Sequence, residues 1–161
     1  MNAGELLSPD RVACGVRLAS KKRVLEMASQ LLAASVENLS QGEVFDSLLA
    51  RERLGSTGLG WGVAIPHGRM ANLHRAVGVF LQVVEGVDYD APDCQPVYLV
   101  FALLVPREAT EEHLQILASL AEKLIKADLR ERLRQASSYA EVQRIFSSEA
   151  YPEQQPHPAA V

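Results

Sequence analysis

"VYLVFALLV", residues 97–105, is the longest apolar run in the chain, and Pro96 and Pro106 fence it. A membrane-spanning helix needs roughly twenty apolar residues, so this run is too short to cross a bilayer. Its lack of polar alternation and its Val, Phe and Leu content predict a strand at the centre of a sheet, covered on both faces. The chain around it supplies both the neighbours and the covers. "GVAIPHG" (62–68) and "AVGVFLQVV" (76–84) read as further strands, and "RVACGVRL" (11–18) as another that Gly15 weakens. Ser20 is placed to cap a helix with Val24, Leu25, Ala28, Leu31 and Leu32 on one face. Ser40 and Glu43 in "SQGE" form a capping-box pattern, and the helix they open buries Val44, Phe45, Leu48 and Leu49. That helix is expected to stop at Gly55, which leaves Arg51 in its last turn.

After the central strand, Thr110 is expected to cap a long helix carrying Leu114, Leu117, Leu120, Ala121 and Leu124. Two shorter helices follow near "LRERLRQ" (129–135) and "YAEVQRIF" (139–146), the second opened by a Ser138…Glu141 capping box. A short turn at Ser8-Pro9 opens the domain. Helices before and after a group of strands predict one layered α/β domain over residues 1–148. Residues 149–161 carry three prolines and no core pattern, and are expected to form a disordered tail.

Composition narrows the class of function. With 161 residues, 48% of them hydrophobic and 22% charged, the chain suits one globular domain with a real core. A net charge of −4 argues against nucleic acid as the main partner. Cys14 and Cys94 match no metal or redox spacing and read as free thiols of a reducing cytoplasm. "MNAGELLSPDR" has neither the basic region nor the apolar stretch of a secretory signal, so the expected location is cytoplasmic, without membrane insertion.

"RERLGSTGLGWGVAIPHGRM" (51–70) is where chemistry concentrates, with five glycines ahead of or just after one histidine. It contains no G-x-x-x-x-G-K-[ST], no G-x-G-x-x-G between a strand and a helix, and no G-x-S-x-G. Its glycines make either a long turn or a lining that lets backbone approach an anion. Pro66 and Gly68 flank His67, stiffening the chain on one side and leaving room on the other. A neutral imidazole can accept a phosphoryl group directly through its unprotonated nitrogen, provided the phosphoryl oxygens find cationic and N–H partners. Arg51, the hydroxyls of Ser56 and Thr57, and unbonded N–H groups from Gly55 to Gly58 are the candidates. His113 in "TEEHLQILASL" is expected at the third helical position, turned inward, either as a satisfied core-edge histidine or as a group facing an anion. His74 reads as a turn residue and His157 as a tail residue. No H-x-x-x-H or C-x-x-C spacing supports a metal, and no cofactor is expected. The acidic turn of Glu85, Asp88, Asp90 and Asp93 lacks the spacing of a calcium loop.

"RERLGSTGLGWGVAIPHGRM", "DAPDCQPVYLVFALLVP" and "EEHLQILASLA" together resemble the enzyme IIA family of the bacterial phosphotransferase system. The resemblance runs from about Leu6 to about Phe146 and is strongest to its nitrogen-regulatory branch, related to the fructose and mannitol IIA domains. It implies a mixed sheet with helices on both faces. It also implies a phosphohistidine carrier, rather than a stand-alone metabolic enzyme, with His67 as acceptor through its tele nitrogen. By the same resemblance His113 and Arg51 would stabilise the phosphoryl group, and an HPr-like histidine phosphocarrier would be the donor. Regulated targets such as sensor kinases or potassium-transport components are implied too, and a homodimer is allowed. Two alternatives stand beside this: a sugar-transport IIA that passes phosphate to a IIB domain, and a binding module that is never phosphorylated. Trp61 departs from the family pattern, either as an exposed interface anchor or as a ring packed under the loop. Cys94 and Tyr98 also look unusual for the family.

Overall fold

The computed structural model of the chain describes residues 2–148; the expected tail at 149–161 lies outside them. Two 3-10 turns, Ala3–Leu6 and Pro9–Arg11, lead into strand β1 (Val12–Val16). Helices α1 (Lys21–Ser35) and α2 (Gln41–Glu52) follow, then the short strands β2 (Gly58–Gly60), β3 (Val63–Ala64) and β4 (His67–Met70). Two long strands, β5 (Val77–Val87) and β6 (Val97–Pro106), precede helices α3 (Thr110–Leu124), α4 (Ala127–Gln135) and α5 (Tyr139–Ser148).

The expected central strand is central. β6 pairs antiparallel with β5 on one side and parallel with β3 and β4 on the other, in a mixed sheet ordered β1-β5-β6-β3-β2. β1 adds to β5 in parallel, with a register shift between Ala13 and Val16 where Gly15 takes φ +72°. Alternation along β6 splits its residues between two covers. Leu99, Phe101, Leu103 and Val105 pack with Ile116 and Leu120 of α3, Leu129 of α4 and Phe146 of α5. Val100, Ala102 and Leu104 pack with Leu25 of α1 and Leu48 of α2. The domain is thus three layers, with the sheet between two helical faces.

Several local expectations are met and several are corrected. Ser20 and Ser40 cap α1 and α2 by accepting from the amides of Arg23 and Glu43. Ser138 accepts from the Glu141 amide, and the Glu141 carboxylate reaches back to Ser137. Ser8 stands in the capping position before Pro9 but makes no capping hydrogen bond through its side chain. α2 ends at Glu52 rather than at Gly55, and Gly55 closes the following turn through its amide on the Glu52 carbonyl. The strand expected at 62–68 is broken at Ile65-Pro66, because Pro66 has no N–H to give a ladder. Its carbonyl still accepts from Leu103, so β3 and β4 follow one another along β6.

The start of α3 differs most from expectation. Ala109 occupies the capping position without a side-chain bond, and Thr110 is already helical. His113 therefore sits one residue deeper, and its amide bonds the Ala109 carbonyl instead of staying free. Leu114 is 61% exposed, and Ile116 takes the core place in its stead. The acidic loop is built on itself: Asp88 accepts from the Asp90 amide and Asp93 from those of Gln95 and Trp61.

Candidate active site

His67 opens β4, and the strand's period of two sorts the next residues. Met70 joins the core under α1 and α2. Gly68 faces the same way: a Cβ there would lie 2.3 Å from Ser47 Oγ and 3.3 Å from the Ser47 backbone, so only glycine lets β4 and α2 approach this closely. His67 and Arg69 consequently emerge on the opposite face, where α3 presents His113. The two imidazole rings meet edge to face with centroids 5.2 Å apart. His113 is buried as expected, at 6% exposure, whereas His67 is half-buried.

Hydrogen bonding assigns the tautomer of each ring. His67 Nδ1 lies 2.9 Å from the Ile65 carbonyl oxygen, which can only accept, so the hydrogen is on Nδ1 and Nε2 keeps its lone pair. His113 Nδ1 lies 3.3 Å from Arg69 Nε, which can only donate, so Nδ1 accepts and Nε2 carries the hydrogen. Burial lowers the pKa of both histidines from the ordinary value. Arg51 and Arg69 lower that of His67 further against the pull of the Ile65 carbonyl and Glu52, while His67 and Arg69 lower that of His113. Both rings are accordingly held neutral near pH 7, one with a free lone pair and one with a hydrogen to donate.

A cleft of about 330 Å³ adjoins His67, and Arg51, Ser56, Thr57, Gly58, Leu117 and Ala121 are among the residues that line it. Arg51 is in the last turn of α2 as expected, with one guanidinium nitrogen 2.8 Å from the Gly55 carbonyl. The expectation of unbonded amides from Gly55 to Gly58 is corrected. Gly55 N–H bonds the Glu52 carbonyl, Thr57 N–H the Glu52 carboxylate, and Gly58 N–H the Ser56 hydroxyl. The Ser56 hydroxyl itself donates to the Tyr89 carbonyl. This loop is a finished wall with its donors largely occupied.

What finishes it is a group of residues the sequence reading passed over. The buried Glu52 carboxylate accepts from Lys21 Nζ at 2.9 Å, Tyr89 Oη at 3.1 Å, the Thr57 amide at 3.2 Å and the Thr57 hydroxyl. Lys21 also lies over the Tyr89 ring at 4.6 Å. Burial, then the neighbouring Glu52, raises the Tyr89 pKa and keeps the phenol neutral. α1, α2, the glycine loop and the segment after β5 are tied together at this carboxylate. Arg69 was also missed, although strand alternation from His67 carried the signal.

Trp61 is 58% exposed, which overturns the reading of a ring packed under the loop. Trp61 and Gly62 take φ +56° and +79° as the two-residue turn between β2 and β3, the geometry of a type I′ hairpin. Arg130 stands over the indole at 5.5 Å. His74 is exposed on a different cleft with Arg11 and Arg75, and His157 lies outside the described residues. Among the described residues no three His, Cys, Asp or Glu side chains converge as a metal site, and no helix is long and apolar enough to cross a membrane.

Comparison with known proteins adds the lineage to this geometry. Residues 5–149 match the family described as phosphoenolpyruvate-dependent sugar phosphotransferase system, EIIA 2. A nitrogen regulatory protein from Pseudomonas aeruginosa is 46% identical over 132 residues, covering 82% of this chain and 86% of its own length. The crystal structure of nitrogen regulatory protein IIA-Ntr from Neisseria meningitidis superposes with a TM-score of 0.85 at 48% identity, covering 89% of this chain and 97% of that one. The mannitol enzyme IIA of Escherichia coli, solved in complex with phosphorylated mannitol enzyme IIB, gives a TM-score of 0.73 at 26% identity, covering 88% and 97%. With nearly its whole described length matched in sequence and in fold, the chain belongs to the EIIA 2 family of the phosphoenolpyruvate-dependent sugar phosphotransferase system.

Proposed function

We propose that this protein is a cytoplasmic phosphohistidine carrier and regulator: His67 Nε2 takes a phosphoryl group from an HPr-like histidine phosphocarrier, and its phosphorylation state governs partner proteins. The observation that carries the reading is the Nδ1–H···O=C bond from His67 to Ile65, which reserves the Nε2 lone pair for attack. In the transfer, Nε2 forms a bond to phosphorus while the phosphorus–nitrogen bond of the donor breaks, its electron pair returning to the donor ring. Each ring keeps the hydrogen on its other nitrogen, so no separate base is required. Arg51, beside the cleft, and His113 Nε2–H, beside the ring, offer positive charge and a donor to the phosphoryl oxygens. Ser56, Thr57 and Gly58 shape the wall that the group meets, and Gly55 closes the turn behind it. The names of the nitrogen regulatory relatives favour control of other proteins; the sensor kinases or potassium-transport components that the family resemblance implies are the kind of target proposed. Homodimer formation belongs to this reading as a property to be measured.

Incubation with a phosphorylated HPr-type carrier tests it. An acid-labile phosphate on wild type that disappears in His67→Ala is the expected result, with ³¹P NMR placing it on the tele nitrogen. No label on wild type, or undiminished label on His67→Ala, sinks the proposal and leaves a binding module. A second reading, relay to a sugar-specific IIB domain, draws support from the mannitol IIA solved with phosphorylated IIB. Onward transfer to a IIB domain separates the two.

A further inference from the structure

We propose that Arg69 is a positioning residue of this same site: it locks the His113 imidazole in the tautomer that carries hydrogen on Nε2, keeping an unspent donor beside the acceptor histidine. The inference rests on the reading of His67 as phosphoryl acceptor, and its evidence is geometric. A neutral imidazole has one hydrogen to place on two nitrogens. Arg69 Nε, 3.3 Å from His113 Nδ1, offers only a hydrogen, so the ring hydrogen is forced to Nε2. There it is buried and, among the described residues, bonded to no acceptor. An unpartnered buried donor is destabilising, and such a group calls for a reason to persist. The reason is supplied 5.2 Å away, at the ring of His67, where a phosphoryl group would bring three acceptor oxygens.

The alternative tautomer shows what Arg69 prevents. With the hydrogen on Nδ1, His113 Nε2 would present a lone pair to those oxygens, and attraction would become repulsion. Strand geometry makes the device compact. His67 and Arg69 are two apart on β4, so one strand delivers both the acceptor and the clamp, while α3 brings the donor from the side. The strand is itself pinned beneath Arg69, whose carbonyl accepts from Ser47 Oγ of α2 at 3.2 Å.

Arg69→Met removes the donor and keeps the length of the side chain. Long-range ¹H–¹⁵N spectra of the unphosphorylated protein read the His113 tautomer without any transfer reaction. Wild type is expected to show Nε2–H, and Arg69→Met a shift towards the Nδ1–H form or a mixture; an unchanged Nε2–H signal in the variant overturns the proposal. Transfer from a phosphorylated HPr-type carrier should slow about tenfold or more in Arg69→Met, the scale of partners that orient a histidine. In a His113→Gln background the same substitution should add little. An equal slowing in both backgrounds would make Arg69 a direct phosphoryl contact and overturn the positioning role. Wild type that takes no phosphate would remove the acceptor reading of His67, while the spectra would still decide whether Arg69 sets the tautomer.

Discussion

An imidazole held away from water takes up a proton less readily than a free one, and His67 and His113 both follow this rule. The sign has two consequences. As pH falls below about 6.5, histidines in the unfolded chain protonate first, so the unfolded state binds more protons and stability declines. The stability these two rings contribute is complete above that pH and is lost as pH drops through their lowered folded values. A His67→Gln, His113→Gln double variant should therefore lose less melting temperature than wild type between about pH 7 and pH 5, as read by thermal unfolding at each pH. Arg51 belongs to the same scale. It is half-exposed, and among the described residues its side chain makes one hydrogen bond, to the Gly55 carbonyl. Arg51→Gln should cost under about 1 kcal/mol of stability. It should nevertheless slow phosphoryl transfer by about 10²-fold, as loss of one donor to a developing charge does. Unfolding curves and quench-flow rates on one preparation measure both.

At the scale of elements, the site depends on how closely β4 lies against α2. Gly68→Ala would set a methyl group into Ser47, and its backbone carbon cannot retreat as a hydroxyl can. The expected outcome is a loss of about 1–3 kcal/mol, typical of overpacking, together with slower transfer because His67 and Arg69 ride on the displaced strand. Combining it with Ser47→Ala should recover part of the stability and little of the rate, which denaturant titration and transfer assays distinguish. The hairpin between β2 and β3 shows a different economy. Trp61 holds a left-handed turn conformation that Asn or Gly adopts more readily, tied by its amide to Asp93 and roofed by Arg130. Arg130 also caps the end of α3 through the Leu124 carbonyl, so the exposed indole joins the hairpin to the helix that carries His113.

For the whole molecule, the helical layer on the α3–α5 face is closed by Phe146, wholly buried and edge-on to Phe80 and Phe101 at 5.8 Å and 5.2 Å. Phe146→Ala should cost about 3–5 kcal/mol in urea unfolding. The transfer rate per folded molecule should change little, since none of the site contacts involves that ring. The framework of this architecture was legible in the residues themselves. An unbroken apolar run reads as a doubly covered strand, leucines at helical spacing read as helices, and Ser20, Ser40 and Ser138 read as caps, because each is a property of chain within a few residues. Arg51, His67 and His113 were legible as candidates by residue type and setting. Their arrangement was not. Arg69 and His113 are 44 positions apart, Glu52 and Tyr89 are 37 apart, and the Thr57 amide of the glycine loop was claimed by a carboxylate no local rule would nominate. The sequence by itself determined the layers, the central strand and the chemistry on offer. Only the tertiary structure decided which nitrogen of each histidine bears the hydrogen and which donors stay free, because a polar group's partner is chosen by the packing of distant elements rather than by its neighbours along the chain.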